Sequence, residues 1–171
     1  MSKAAYVYVT YIAATPEKIF DALINKEVTQ QYWGHHNISD WKPGSAWEHR
    51  VSDKPEILHI VGKVVEIDRP RRLVITWSSP EDQGNPAKTS RVTFEIEDAR
   101  ADFHELVAAS TRLTVTHDEL DSDSQMLKSI SNGWPIVLSG LKTLLETGEL
   151  LTTPGSLRWL EGDATQMPGV G

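Results

Sequence analysis

At 171 residues, with 39% hydrophobic and 24% charged side chains, the chain has the length and make-up of one globular domain. It has no cysteine, which excludes disulfides, thiolate nucleophiles and cysteine-ligated metals and suits a reducing cytoplasm. A net charge of −7 argues against a nucleic-acid or anionic-membrane surface, which needs clustered Lys and Arg.

In chain order, Ala5 to Ala13 alternates as a strand does. That pattern, rather than a Leu-rich run, argues against a signal peptide, and no segment approaches the ~20 apolar residues of a membrane span. The Asn37-Ile38-Ser39 glycosylation match is coincidental without a secretion signal. Thr15, Pro16 and Glu17 open a short helix, as N-cap, first helical residue and first-turn acid. A second helix, Lys26 to Tyr32, stops at Gly34.

Strands follow over His36 to Trp41, Ser45 to Ser52, Glu56 to Ile67, Leu73 to Ser78, Lys88 to Glu97 and Phe103 to Thr116. Turn residues such as Lys42-Pro43-Gly44 and Arg69-Pro70-Arg71 separate them, and such short separations favour an antiparallel meander. The stretch Asp98 to Asp102 reads either as a hairpin turn or as part of a bulged strand. From Asp121-Ser122-Asp123 onward, Leu127, Ile130, Trp134, Leu138, Leu141 and Leu145 recur at steps of three and four, the spacing of a helix with one buried stripe. Pro135 is expected to kink that helix or split it in two, and Gly148 to end it.

Tyr32-Trp33-Gly34 after two short helices, the strand-turn-strand Gly62 to Trp77, the strand Thr111 to His117, and Gly133-Trp134 leading into Leu141 to Leu145 form a recognisable set. Together they resemble the START-like (SRPBCC) superfamily, in its branch named for an activator of a heat-shock chaperone ATPase. The resemblance covers about Tyr6 to Gly148. It implies an α+β helix-grip fold, in which a curved antiparallel sheet wraps a long C-terminal helix and encloses a ligand cavity. On this reading residues 1–148 are the domain and 149–171 a tail. The tail and Pro135 depart from the branch's usual pattern, and the proline bears on the cavity roof.

A cavity there would be lined by Tyr32, Trp33, Trp47, Trp77, Phe94, His117, Trp134, Val137, Leu138 and Leu141. Tyr32 and His117 are the expected polar anchors, and Trp134, Val137, Leu138 and Leu141 the roof. The competing reading is that the tryptophans simply fill the core and His117 is a buried, satisfied histidine. Asp118 and Glu119 read as turn residues. Whether Trp47 or its neighbours Glu48 and Arg50 face inward is open from parity alone; an inward Glu48 would be a candidate acid or base.

His35 and His36 are adjacent and point to opposite faces, so no metal site is expected, although His49 and His59 lie where they could approach across strands. Ser139-Gly140 lies in a helix and is no nucleophile elbow. Glu95 and Glu97, and the Arg69, Arg71 and Arg72 cluster, read as solvated. The leading expectation is a cytoplasmic protein that binds a small hydrophobic or aromatic molecule, with no cofactor, no metal, no nucleic acid and no membrane, and with a homodimer possible. The alternatives are a cyclase- or hydratase-type enzyme with His117 or Glu48 as proton shuttle, or a co-chaperone-like interaction module exposing an apolar patch on the sheet or near Trp159.

Overall fold

A computed structural model describes residues 2–98 and 110–151. Seven strands run β1 (Lys3–Ile12), β2 (His35–Ser39), β3 (Ala46–Val51), β4 (Leu58–Asp68), β5 (Arg72–Trp77), β6 (Ser90–Asp98) and β7 (Thr111–Asp121). They form one antiparallel sheet of order β1-β7-β6-β5-β4-β3-β2. Helices α1 (Pro16–Ile24) and α2 (Lys26–Trp33) connect β1 to β2. The long α3 (Gln125–Thr147) follows β7, so the helix-grip architecture expected from the sequence is what the chain adopts.

Local chemistry sets these boundaries. The Thr15 side chain accepts from the Lys18 N–H at the start of α1, with Pro16 in the first turn. Gly34 closes α2 in the left-handed conformation, φ 72°, which costs a residue without a Cβ little. On β5, Leu73, Ile75 and Trp77 face the core. On β6 Val92, Phe94 and Ile96 do so, and on β7 Leu113, Val115 and His117.

The outward side chains pair across strands: Arg72 with Glu66 and Glu95, Arg112 with Glu97, and Arg91 with Asp118. The Arg69, Arg71 and Arg72 cluster is therefore an ion-paired turn, with Arg69 on Asp21 and Arg71 on Asp68.

Three expectations are corrected. First, β7 does not end at Thr116 but runs to Asp121. Asp118 and Glu119 are strand residues, and Asp118 holds Arg91. Glu119 takes a positive φ of 61° in a bulge of β7, where Asp118 and Glu119 together stand opposite the single residue Ala5 of β1, and this turns Leu120 back into the core and lets the strand continue. Residues 103–109 of the expected strand, and 99–102 of the ambiguous turn, lie outside the described residues.

Second, of the two outcomes expected at Pro135, a kink or a split, the split does not occur; α3 is continuous through the proline. The proline forfeits one backbone hydrogen bond. Ile130 and Trp134 before it, and Val137, Leu138 and Leu141 after it, are all buried, so burial on both sides holds the helix together. Third, α3 starts from Ser124, whose hydroxyl accepts from the Leu127 N–H, rather than from Asp121 to Asp123. Gly148 ends it as expected. The tail from residue 152 onward, with Trp159, lies outside the described residues.

Candidate functional site

Between the concave face of the sheet and α3, aromatic side chains from five elements converge. Trp33 comes from the end of α2, Trp47 from β3, Trp77 from β5, Phe94 from β6 and Trp134 from α3, and each is at most 2% exposed. The rings touch one another. Ring centroids lie 5.3 Å apart for Trp33 and Trp134, 5.7 Å for Trp77 and Trp134, 5.5 Å for Trp47 and Trp77, and 6.5 Å for the nearly parallel Trp33 and Trp77. Phe94 meets Trp134 edge-on at 5.9 Å, and Tyr32 stacks beside Trp33 at 6.0 Å. Val137, Leu138 and Leu141 are buried on the same helix as Trp134. All ten residues expected to line the interior are thus buried, and their rings form one cluster.

Two of the four interior indoles are anchored. The Trp47 N–H donates to the Thr76 carbonyl at 2.7 Å, and Trp47 can reach it because it crosses Gly62. A Cβ at Gly62 would stand 1.9 Å from that carbonyl and 2.4 Å from the Trp47 ring nitrogen. The Trp134 N–H donates to His117 Nδ1 at 3.2 Å.

An indole can only donate, so His117 Nδ1 is the acceptor, and the neutral ring carries its hydrogen on Nε2. Nε2 donates to the Ser90 hydroxyl at 2.8 Å, and Ser90 donates on to the Trp77 carbonyl at 3.1 Å. Every hydrogen in this chain has one place. His117 therefore has both nitrogens engaged within the protein, and burial holds its pKa down at about 3.

Tyr32, the other expected anchor, gives its hydroxyl hydrogen to the Ala22 carbonyl at 2.8 Å, and burial pushes its pKa up. The donors left over are elsewhere. Among the described residues the indole N–H groups of Trp33 and Trp77 are buried with no acceptor.

A second feature escaped the sequence reading. The ring of His35 on β2 stacks face to face on that of His49 on β3, with centroids 4.0 Å apart and planes 7° apart. The His35 Nδ1–H donates to the Trp33 carbonyl at 2.9 Å, so its Nε2 accepts from His59 Nδ1 on β4 at 2.8 Å. His49 Nδ1 lies 2.5 Å from Asn37 Oδ1, and its ring meets Trp33 edge-on at 4.9 Å.

Burial lowers the His35 pKa to about 3, outweighing the backbone bond to Trp33, which acts the other way. The alternation His35-x-Asn37 and Trp47-x-His49-x-Val51 carried the signal: same-parity residues on neighbouring short strands share the inward face. His49 and His59 thus come together through His35. Among the described residues no group of three or more His, Asp or Glu is arranged to hold a metal ion.

The open question at Glu48 closes on the outward side. Trp47, His49 and Val51 are buried, while Glu48 and Arg50 are part-exposed and pair with each other at 2.8 Å. Glu48 is no interior acid or base. Glu95 and Glu97 are held by Arg72 and Arg112 on the outer face.

The family profile described as "Activator of Hsp90 ATPase homolog 1-like protein" matches residues 13–146. No curated protein matches the sequence. Among solved structures, the Aha1 dimer from Colwellia psychrerythraea is 19% identical with a TM-score of 0.67, covering 85% of this chain and 98% of that one. An HSP90 activator from Plasmodium falciparum is 21% identical with a TM-score of 0.63, covering 82% and 95%. CalU16 from Micromonospora echinospora is 17% identical with a TM-score of 0.62, covering 84% and 77%. At these identities the likeness carries the fold. None of the described helices is long and apolar enough to cross a membrane.

Proposed function

Because the chain belongs to the activator of Hsp90 ATPase homolog 1-like family, we propose that it is a START-like protein that binds a small hydrophobic or aromatic molecule between its sheet and its last helix. The supporting observation is the concentration of Trp33, Trp47, Trp77, Trp134 and Phe94 on that single interior face, with two indole donors unused. An aromatic surface of this kind recognises flat apolar molecules through ring contacts, with affinity supplied by buried apolar area. Since the rings touch one another, a ligand enters by parting them, and indole fluorescence reports its arrival directly. A cytoplasmic location belongs to the same proposal and rests on the cysteine-free sequence.

The test is a fluorescence titration of the full chain with a panel of apolar and aromatic compounds. Saturable quenching or enhancement by at least one class supports the reading; a flat response across the panel removes it. The enzyme alternative has lost Glu48 to the outer face, and His117 has both nitrogens engaged within the protein. The co-chaperone-like alternative rests on the family description, and a pull-down against a chaperone with no enrichment counts against it.

A homodimer through β1 is the second reading. Among the described residues β1 is an edge strand, and it exposes Val7 and Val9, which suits pairing with another chain. The relative from Colwellia psychrerythraea is described as a dimer. Light scattering that returns the mass of a single chain at high concentration rules this out.

A further inference from the structure

The unused donors say what kind of molecule the interior takes, an inference that rests on the binding function proposed above. Trp33 and Trp77 lie nearly parallel, 21° apart, with centroids 6.5 Å apart. Both are buried, and among the described residues neither ring nitrogen has a hydrogen-bond partner. The other two interior indoles show the local norm, since Trp47 and Trp134 each give their N–H to a protein acceptor. A buried donor with no acceptor costs free energy comparable to a lost hydrogen bond, and two of them in one ring cluster mark a place where an acceptor is wanted.

The charge of that acceptor follows from what surrounds it. Among the described residues the buried polar side chains are Thr, Ser, Asn and His, with no Lys, Arg, Asp or Glu. His35 and His117, which flank the cluster, are held neutral by burial. An anionic head would enter without a counter-ion and pay its full desolvation, which two neutral N–H donors do not return.

Two of the acceptors beside these rings are already occupied. His117 Nδ1 already accepts from Trp134, and the Thr76 carbonyl already accepts from Trp47. We infer that the interior selects a flat, uncharged aromatic molecule bearing a hydrogen-bond acceptor, such as an aryl ketone, a quinone or an azaheterocycle, whose acceptor is received by the Trp33 and Trp77 indole N–H groups. Carboxylate-headed lipids are excluded on the same ground.

Matched probes separate this inference from the binding function itself. The full-length protein is titrated, by tryptophan fluorescence and by calorimetry, with fluorene against fluorenone, anthracene against anthraquinone, and xanthene against xanthone, each pair differing in the carbonyl. Fluorene-2-carboxylate supplies the anionic arm. Each ketone should bind about tenfold more tightly than its hydrocarbon partner or better, and the carboxylate should bind worse than both. In Trp33→Phe and in Trp77→Phe the ratio of ketone to hydrocarbon affinity should shrink, whatever the smaller ring does to both affinities together.

Equal affinity within every pair overturns the acceptor inference, because the N–H groups are then met by water, yet it leaves an apolar binding site standing. A carboxylate that binds as well as the ketone overturns the neutral-ligand part. A preference unchanged in both variants overturns the assignment to these two indoles. No binding by any probe overturns the inference together with the binding function. The wild-type pairs decide the question alone if a variant does not fold.

Discussion

Two fully buried imidazoles, those of His35 and His117, make stability a function of pH in a way that can be worked out in advance. His35 and His117 have folded-state pKa values near 3, both lowered chiefly by desolvation, against an ordinary value of 6.5. A depressed folded pKa means that the unfolded chain takes up a proton which the native chain refuses. Above pH 6.5 both states are neutral and the two groups are silent. As the pH falls from 6.5 toward 3, each histidine withdraws stability at up to about 1.4 kcal/mol per pH unit.

At about pH 5 the loss is about 2 kcal/mol per histidine, or about 4 kcal/mol for the two. Urea unfolding, followed by tryptophan fluorescence near neutral pH and near pH 5, measures it. The informative variant is His117→Gln, which keeps an amide donor and acceptor but does not titrate. Whatever the substitution costs at neutral pH, its loss on acidification should be smaller than the wild-type loss by about 2 kcal/mol. If the wild type and the variant lose the same amount, His117 is not held as a neutral group, and the fixed hydrogen order from Trp134 through His117 to Ser90 is wrong.

The remaining predictions are single substitutions read by the same unfolding assay. Gly62→Ala puts a methyl against the Thr76 carbonyl and the Trp47 ring. It should cost about 2–4 kcal/mol from overpacking plus one lost buried hydrogen bond, whereas a cost below about 0.5 kcal/mol would mean that Trp47 does not cross there. Ser90→Ala removes the acceptor of the His117 N–H and should cost about 1–3 kcal/mol. Pro135→Ala restores an amide donor to the middle of α3 opposite the Ser131 carbonyl and should stabilise the protein by about 1–3 kcal/mol; a loss instead would show that the proline ring itself is a packed element.

The sequence was most legible where local chemistry and periodicity agree. Thr15-Pro16 and Lys26 to Gly34 announce their helices through caps, and Leu73-x-Ile75-x-Trp77 announces its strand through alternation. The terminal helix was legible from its apolar stripe, but not its continuity, because the local penalty at Pro135 is outweighed by burial on either side. The end of β7 was illegible because a bulge changes the parity at Glu119, and alternation cannot be followed through a bulge.

At the site, the residue types were readable and the hydrogen bonds were not. That Trp47 spans Gly62 to reach Thr76, or that His35 joins His49 and His59, depends on register across three strands. Register is a tertiary fact that no single stretch encodes.

The central claim is that a ligand enters among the interior indoles, and fluorine NMR of protein labelled with 5-fluorotryptophan tests it most directly. On titration with a bound ketone probe, the resonances of Trp33, Trp77 and Trp134 should shift together and saturate at one affinity, while that of the half-buried Trp41 stays in place. Unmoved interior resonances alongside a shifting Trp41 would contradict the account, since the molecule would then be sitting on the surface of a closed aromatic core.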